Sequence, residues 1–343
     1  MNLLVLQLKR IGDLILTTPA LAALRQQFPQ GRITLCLSEA SAGLAPALPF
    51  VDEVQVVRRK ASNAGLWKQL ATSRFDACLD FTGNDRSAFF ALLSKAPRRI
   101  TYGWVRKSAF RAFFFNEFVE SNVRERHTIA HHLDLLSPLG VAAPQTPITL
   151  RLPAEAGERA ACLLAEAGIG PACRFAVIHP GTARTEKYWV PERWAAVIDH
   201  CQGELGLPCV VTGGDAEFEQ AHLLQIQAAV RTPWRNLSGT LDLLTLAALI
   251  QRAALLMSMD SAPVHLGAAF QTPQISLFGV TNPFHWRPLH ARSVVLLAGS
   301  TGPLTHFEPR VTAHSLSELS TEAVIGAISP LFSSLHPDDL SHL

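Results

Sequence analysis

Several features that would assign a chain of this length to a class are missing or scarce. No apolar run approaches the roughly 20 residues that a membrane-spanning helix needs. Charged residues make up only 17% of the 343 residues and leave a net charge of +2, which is too small to indicate nucleic-acid binding. Lys9, Arg10 and Asp13 interrupt the first apolar stretch, and no small-residue cleavage site follows it. These absences favour a cytoplasmic protein that does not bind nucleic acid.

Metal and disulfide patterns are also missing. The six cysteines include no C-x-x-C pair, which in a large cytosolic chain favours reduced thiols in the core. His127 and His131 have the spacing of one helix face, with His132 beside them, but no glutamate completes an H-E-x-x-H motif. The histidines therefore favour a solvated helix face over a metal site.

The chain is rich in alternating strand-like and helix-like segments. This alternation predicts an α/β fold of two doubly wound parallel sheets, and 48% hydrophobic residues suffice for two cores. A passage rich in proline and alanine from Ala142 to Pro153 is predicted to be the link between the two domains. The expected domains are therefore 1–152 and 153–343, facing across a ligand cleft. A last helix at 317–332 is expected to pack back on the first domain. The predicted strands lie at 3–8, 32–37, 53–57, 76–81, 98–102, 174–179, 208–212, 253–258 and 274–278.

The most informative stretch is 258–288. An apolar strand ends at Asp260-Ser261, and Pro263 begins a helix of small residues, where its fixed φ suits the first turn. The N–H groups near Ser261 to His265 and the helix dipole favour a bound phosphate there. An ordinary strand–helix–strand unit with a capped helix is the alternative.

A second motif follows the N-terminal strand. The break at residues 10–13 contains one glycine, Gly12, where a dinucleotide fingerprint needs three. Asp13 lies just past the strand's carboxyl end, where open α/β sheets bind their ligands, and a helix is expected from Leu14 to Arg25. Asp13 either serves a ligand or caps this helix.

Two loops of the second half carry further polar residues at predicted strand ends. After His179, the loop offers Thr182, Arg184 and Lys187, which suit a phosphate or a sugar, although a solvated basic loop would look the same. After the next strand, Glu217 begins a helix, where its carboxylate would bind ribose hydroxyls or complement the helix dipole.

Taken together, these motifs resemble the ADP-heptose:lipopolysaccharide heptosyltransferases, inverting glycosyltransferases of family 9 with the two-lobed GT-B fold. The resemblance covers nearly the whole chain. The sequences of 260–265 and 277–288 are similar to the branch of the family that adds the third, side-branch heptose. It implies transfer of a heptose from ADP-heptose to the lipopolysaccharide inner core. Other matching segments are 76–87, 98–103, 179–189 and 213–217.

The resemblance also implies roles for individual residues. Asp13 would be the general base that deprotonates the acceptor hydroxyl. Lys187 would offset charge on the diphosphate leaving group, with Thr182 as a hydrogen-bond donor. The other donor-binding residues would be Glu217 on the ribose, and Asp260, Ser261, Ala262 and His265 around the diphosphate. Ala262 stands where many relatives have glycine. Because the chain has no D-x-D motif, we expect a metal-independent enzyme without a cofactor.

The segment 104–115 interleaves Arg106, Lys107 and Arg111 with aromatic residues. These residues would suit an acidic, lipid-linked core oligosaccharide at the cytoplasmic face of the inner membrane, with the protein as a peripheral partner. A core helix with charged ends is the alternative.

Other functions remain open from the sequence. The diphosphate motifs do not name the sugar, so a transferase of the same fold with another donor or acceptor is the nearest alternative. A sugar-nucleotide epimerase and a non-catalytic binding protein are further candidates. An NAD-dependent oxidoreductase is disfavoured by the missing G-x-G-x-x-G.

Overall fold

The computed structural model describes residues 1–142 and 146–333, and divides the chain into two compact units, Met1–Arg151 and Leu152–Leu343. Residues 143–145 of the expected link lie outside the described residues. Each unit is built on one parallel sheet, which confirms the predicted α/β class with two doubly wound domains.

The first unit has six strands among its described residues, in the order β3-β2-β1-β4-β5-β6, all parallel. This is the order of a Rossmann fold, and the chain reverses its winding direction between β1 and β4. Its elements are β1 (Asn2–Gln7), α1 (Ile11–Gln27), β2 (Arg32–Ser38), β3 (Glu53–Val57), α2 (Ala64–Thr72), β4 (Ala77–Asp80), α3 (Asp85–Leu93), β5 (Arg98–Tyr102), α4 (Ala109–Ala112), β6 (Glu117–Val119) and α5 (Thr128–Asp134).

The second unit has a five-stranded parallel sheet in its described part, in the order β11-β10-β9-β7-β8. Its winding direction reverses between β7 and β9, which are paired from Ala176 to His179. Its elements are α6 (Ala154–Glu166), β7 (Ala176–His179), α7 (Pro191–Gly203), β8 (Cys209–Val211), α8 (Glu217–Ala229), α9 (Leu243–Arg252), β9 (Leu255–Met259), α10 (Ala262–Phe270), β10 (Gln274–Phe278), α11 (Pro283–Trp286), β11 (Ser293–Leu297) and α12 (Thr321–Ser333).

The central strands of both sheets are continuously apolar and lie in the core of their unit. Leu3 to Leu6 of β1 and Leu255 to Met257 of β9 are fully buried, as expected for strands covered by helices on both faces. In the second unit, Trp189 and Trp194 meet edge-on with ring centroids 5.1 Å apart. Helix α12 packs on α7, β10 and β11 of its own unit, and its expected packing on the first domain stays a prediction.

The prediction that the histidines of residues 127–132 form a solvated helix face is wrong. Helix α5 packs on α1, and His131 and His132 are only 4% and 1% exposed. His131 stacks on Tyr102 with ring centroids 3.9 Å apart, and its Nδ1 lies 2.8 Å from Ser121 Oγ. The pair is therefore part of the interior of the first unit.

Buried histidines make the fold sensitive to acid. Burial lowers the pKa of six histidines of the described residues, to about 4 for His131, His179, His222, His265 and His290, and well below 6.5 for His132. In the unfolded chain these histidines have a pKa near 6.5 and bind protons below that pH, while in the folded chain burial keeps them neutral. The free energy of unfolding therefore falls as the pH drops from about 6.5 to about 4. Each group contributes at most about 1.4 kcal/mol per pH unit.

We expect His131→Phe to flatten this pH dependence, because it keeps the ring on Tyr102 and removes one titrating group. Urea unfolding between pH 7 and pH 4.5 measures the slope, with exposed His306→Phe as the control. Asp80 acts in the opposite direction, since burial raises its pKa to about 6 and its protonation favours the folded state on acidification. An unchanged slope in His131→Phe would contradict the assignment.

Candidate active site

Asp13 lies in the first turn of α1. The helix begins at Ile11, so the break expected through residues 10–13 is shorter than predicted. The cause is local: Asp13 Oδ2 accepts a hydrogen bond from the Arg10 N–H at 3.3 Å, which stabilises the helix start. The carboxylate therefore caps the helix and, at the carboxyl end of β1, is also placed where a ligand would bind.

Buried hydrogen bonds fix the backbone that carries Asp13. Thr17 Oγ1 donates to the Asp13 carbonyl at 2.7 Å, and the Gln7 amide donates to Thr17 Oγ1 at 2.8 Å. Burial raises the pKa of Asp13 above its ordinary value, while the nearby positive charge of Lys9 opposes the rise. A raised pKa makes this carboxylate a better proton acceptor than an exposed aspartate.

Asp80, at the end of the neighbouring strand β4, is used by the fold itself. Its carboxylate accepts hydrogen bonds from the Thr82 N–H at 2.8 Å, the Ser87 hydroxyl at 2.8 Å and the Gly83 N–H at 3.1 Å. Thr82 Oγ1 in turn accepts from the Leu8 N–H at 2.8 Å, which joins the loops after β1 and β4. These contacts leave Asp13 as the better candidate for chemistry at this edge.

In the second unit, Lys187 and Asp260 form an ion pair. They come from the loops after β7 and β9, and the Lys187 ammonium lies 2.5 Å from Asp260 Oδ2 and 3.2 Å from the Asp260 carbonyl oxygen. The two side chains are only 12% and 10% exposed, so water screens the pair weakly. Because β7 and β9 are adjacent and flank the winding reversal, the pair lies where α/β sheets bind ligands.

The N-terminus of α10 lies beside this pair. Ser261 is the N-cap residue, but its hydroxyl donates to the Met259 carbonyl at 3.2 Å and does not cap the first turn. Ala262 begins the helix and Pro263 follows. His265 is buried, and its Nδ1 has no hydrogen-bond partner among the described residues. Burial lowers the pKa of His265 to about 4, so a neutral imidazole adjoins an uncapped helix start.

Two carboxylates of α8 differ in position. Glu217 begins the helix and is exposed, whereas Glu219 is only 7% exposed and accepts the Gly214 N–H at 2.7 Å. A Cβ on Gly181 would overlap the Glu219 carboxylate, so the loop after β7 approaches it closely. Thr182, next in that loop, is 8% exposed. Glu219 is not among the residues predicted from the sequence, although the glycines that surround it were a signal.

The three basic residues expected to bind the acceptor lie near the surface. Arg106 Nη1 lies 2.6 Å from Glu120 Oε1, and Arg111 Nε lies 2.6 Å from Asp85 Oδ1, while the Lys107 side chain is exposed. Such exposed pairs contribute little, roughly 0–1 kcal/mol, so they would yield to a phosphate. Helix α4 itself has no buried residue, but Val105 and Phe115 of the same segment are buried in the core of the first unit, so the acceptor-binding role stays a prediction.

Within residues 1–142 and 146–333, no cluster of three or more histidine, cysteine, aspartate or glutamate side chains is arranged to hold a metal ion. Nor does any helix there combine the length and the apolar character required to cross a bilayer.

Two Rossmann-like units, each built on one parallel sheet, are the architecture of the GT-B class of glycosyltransferases that the sequence predicts. The chain belongs to glycosyltransferase family 9 (heptosyltransferase), whose model matches residues 64–313. This confirms the resemblance seen in the sequence and identifies the protein as a glycosyltransferase. Asp13 lies outside the matched range.

Named relatives agree with this membership. A lipopolysaccharide heptosyltransferase 3 of Escherichia coli is 28% identical, over 94% of this chain and 97% of its own length. A crystal structure of a family 9 glycosyl transferase from Veillonella parvula DSM 2008 has a TM-score of 0.86 at 26% identity, covering 97% of this chain and 98% of that one. E. coli heptosyltransferase WaaC, solved with ADP, shares the fold with a TM-score of 0.76 at 21% identity, covering 96% and 100% of the two chains.

Proposed function

We propose that this protein transfers a heptose from ADP-heptose to the inner core of lipopolysaccharide, as the third, side-branch heptose. The observation that carries the proposal is the Lys187–Asp260 pair beside the uncapped N-terminus of α10. A buried cation and a helix N-terminus together suit a diphosphate. The name of the heptosyltransferase 3 relative and the ADP-bound structure of WaaC support the acceptor and the nucleotide.

The reaction is a single displacement that inverts the anomeric carbon. Asp13 removes the proton from the acceptor hydroxyl, and that oxygen forms a bond to the anomeric carbon of the heptose. The bond between this carbon and the diphosphate oxygen breaks, and ADP leaves with the bonding electron pair. Lys187 offsets the charge that develops on ADP, so the chemistry needs no metal ion.

The donor is held by groups at the carboxyl edge of the second sheet. Asp260 fixes the Lys187 ammonium, and Thr182 donates a hydrogen bond to a phosphate oxygen. The N–H groups of Ser261 and Ala262 face the diphosphate, because Pro263 has no N–H and the Val264 N–H already donates to the Ser261 carbonyl. The neutral His265 imidazole adds one polar contact. The Ala262 methyl group limits how closely the diphosphate approaches the helix.

A buried carboxylate is the better candidate for the adenosine ribose. Glu219 lies among Gly181, Gly213 and Gly214, where a ribose hydroxyl would reach it, and Glu217 stays the exposed alternative. We expect Glu219→Gln to raise the Kd for ADP about tenfold or more, because a hydrogen bond to a charged group is lost. Glutamine still accepts the Gly214 N–H.

Calorimetry with ADP measures this effect, and Glu217→Gln is the matched control from the same helix. If Glu217→Gln weakens ADP binding and Glu219→Gln does not, the ribose belongs to Glu217.

The acceptor side is assigned to the first unit. Arg106, Lys107 and Arg111 would bind phosphates of the lipid-linked core oligosaccharide, and the protein would work as a peripheral protein at the cytoplasmic face of the inner membrane. Asp13 would face the hydroxyl to be glycosylated.

The function is tested in two steps. Calorimetry with ADP, UDP, GDP and NAD, without added metal, is expected to show selective binding of ADP. Purified protein with ADP-heptose is then expected to add one heptose to a core acceptor that lacks the side-branch heptose, measured by mass spectrometry. Preference for UDP or GDP would overturn the heptose assignment, and transfer to a different core position would overturn the third-heptose assignment.

A further inference from the structure

Helix α1, which carries Asp13 in its first turn, contains a proline in its middle. Pro19 has no N–H, so it cannot donate the usual helical hydrogen bond to the carbonyl oxygen of Ile15. The Thr18 hydroxyl donates to this oxygen at 2.8 Å instead. The hydrogen-bond ladder is therefore incomplete where residues 11–18 join the rest of α1, and such a break lets a helix bend. The direction of this short segment then depends on contacts from outside α1.

His132 of helix α5 makes such a contact. Its Nδ1 lies 3.2 Å from the Leu16 carbonyl oxygen and 3.2 Å from Thr17 Oγ1. A carbonyl oxygen can only accept a hydrogen bond, so Nδ1 carries the proton and donates it towards these two oxygens. Burial lowers the pKa of His132 well below 6.5, so the ring is neutral and has no second N–H. The ring is 1% exposed and meets Phe81 edge-on, with centroids 5.4 Å apart.

The Thr17 hydroxyl links this contact to Asp13. It donates to the Asp13 carbonyl oxygen at 2.7 Å, so its own oxygen accepts from His132 and from the Gln7 amide, which lies 2.8 Å away. Gln7 and Thr17 are 1% and 0% exposed, so water does not compete for these hydrogen bonds. One hydroxyl of α1 is therefore held both by β1, through Gln7, and by α5, through His132.

We propose that His132 is a positioning residue, which orients the Asp13 carboxylate by holding the segment 11–18 against α5. A general base has to lie within hydrogen-bond reach of the proton that it removes. A displacement of about 1 Å at a reacting group can cost about 10²-fold in rate, so a small change in the direction of this segment would slow the reaction. The inference rests on the proposed function, because that function gives Asp13 the role of the base.

Three substitutions separate the N–H group of His132 from its ring. His132→Phe keeps the ring and removes the N–H, His132→Asn places an amide N–H where Nδ1 lies, and His132→Gln places one near Nε2 instead. We expect kcat/KM for heptose transfer to fall about 10–100-fold in His132→Phe and His132→Gln, and to stay within about threefold of the wild type in His132→Asn. The Kd for ADP, measured by calorimetry, should not change, because the nucleotide is assigned to the second unit.

The neighbouring histidine provides the matched control. His131 is 4% exposed on the same helix, but its Nδ1 lies 2.8 Å from Ser121 Oγ instead of bonding to α1. His131→Phe also replaces a buried histidine by phenylalanine, and it should leave kcat/KM nearly unchanged. Thermal unfolding of each variant shows that the proteins compared are folded at the temperature of the assay.

A double variant tests whether His132 acts through Asp13. Asp13→Asn removes the proposed base, so adding His132→Phe to it should lower kcat/KM little further. Losses that multiply in the double variant would overturn the positioning role. So would a His132→Phe protein that is as active as the wild type, or a His132→Asn protein that is as slow as His132→Phe.

Amide hydrogen exchange separates this inference from the proposed function, because it needs no substrate. Peptides that cover residues 11–18 should exchange faster in His132→Phe than in the wild type and in His131→Phe, since a contact that holds the segment is lost. Unchanged exchange over this segment would overturn the positioning role while heptose transfer by the wild type still supports the proposed function. A wild type that transfers no heptose would overturn the proposed function, and faster exchange would still support the hold of His132 on the segment.

Discussion

Asp13→Asn is expected to lower kcat/KM for heptose transfer by about 10²–10⁴-fold while the Kd for ADP changes little. The carboxylate accepts a proton in the proposed step, and an amide does not. Asparagine still offers an oxygen to the Arg10 N–H, so the start of α1 is retained and the effect reports on chemistry. Steady-state ADP release with a core acceptor measures the rate, and calorimetry measures ADP binding.

A second helix-capping carboxylate provides the control. Asp242 Oδ1 accepts the Thr245 N–H at 2.7 Å at the start of α9, so Asp242→Asn makes the same chemical change at another helix N-terminus. It should leave kcat/KM nearly unchanged. If Asp13→Asn also retains a near-normal rate, the carboxylate only caps α1 and another residue is the base.

The pH profile gives a further check on Asp13. Because burial raises its pKa, the wild-type rate should begin to fall at a higher pH than an ordinary aspartate would cause, since protonation removes the base. The residual rate of Asp13→Asn should lack this acidic limb.

Strands with strong local signals could be predicted from the sequence, and weak ones could not. The buried runs in β1 and β9 carry enough apolar residues to indicate strands on their own. The edge strands β6 and β11 were missed. β6 has only three residues, two of them half-buried, and β11 begins with two half-buried residues. At a sheet edge, whether a segment forms a strand depends on its pairing with one neighbouring strand. The local pattern of apolar residues says little about that pairing.

Burial of polar residues depends on contacts that are distant in the sequence. His131 and His132 have a helical spacing that allows either a solvated or a buried face. The decision comes from α1 and from Tyr102 on β5, which pack against them. No spacing rule within α5 contains this information, so the expectation of a solvated face was wrong.

The candidate site also combines features that the local sequence predicts with features that depend on contacts distant in the sequence. The sequence placed Lys187 and Asp260 after separate strands, and the adjacency of β7 and β9 brings the two side chains into contact across 73 residues. The choice between Glu217 and Glu219 depends on where α8 begins and which side of its first turn faces the glycine loops. The carboxylate of Glu217 is exposed and that of Glu219, two residues later, is buried. The sequence pattern does not show which of the two is buried.

Lys187→Met is expected to lower kcat by about 10²–10³-fold and to weaken ADP binding as well. In the proposed reaction the Lys187 ammonium faces the leaving diphosphate, so its loss should raise both the activation barrier and the free energy of the bound donor. Steady-state rates and ADP calorimetry measure the two effects separately. Arg184→Met, from the same loop but exposed and paired with Glu186, is the matched control and should change neither quantity much.

The partner of Lys187 complicates a single substitution, because methionine leaves the Asp260 carboxylate buried without its cation. Loss of one member of a buried pair destabilises a protein by about 3–5 kcal/mol. Lys187→Met should therefore unfold at lower temperature, and adding Asp260→Asn should recover much of that stability without restoring the rate. If the double variant recovers kcat as well, Lys187 acts only by holding Asp260 in place and does not stabilise the leaving group.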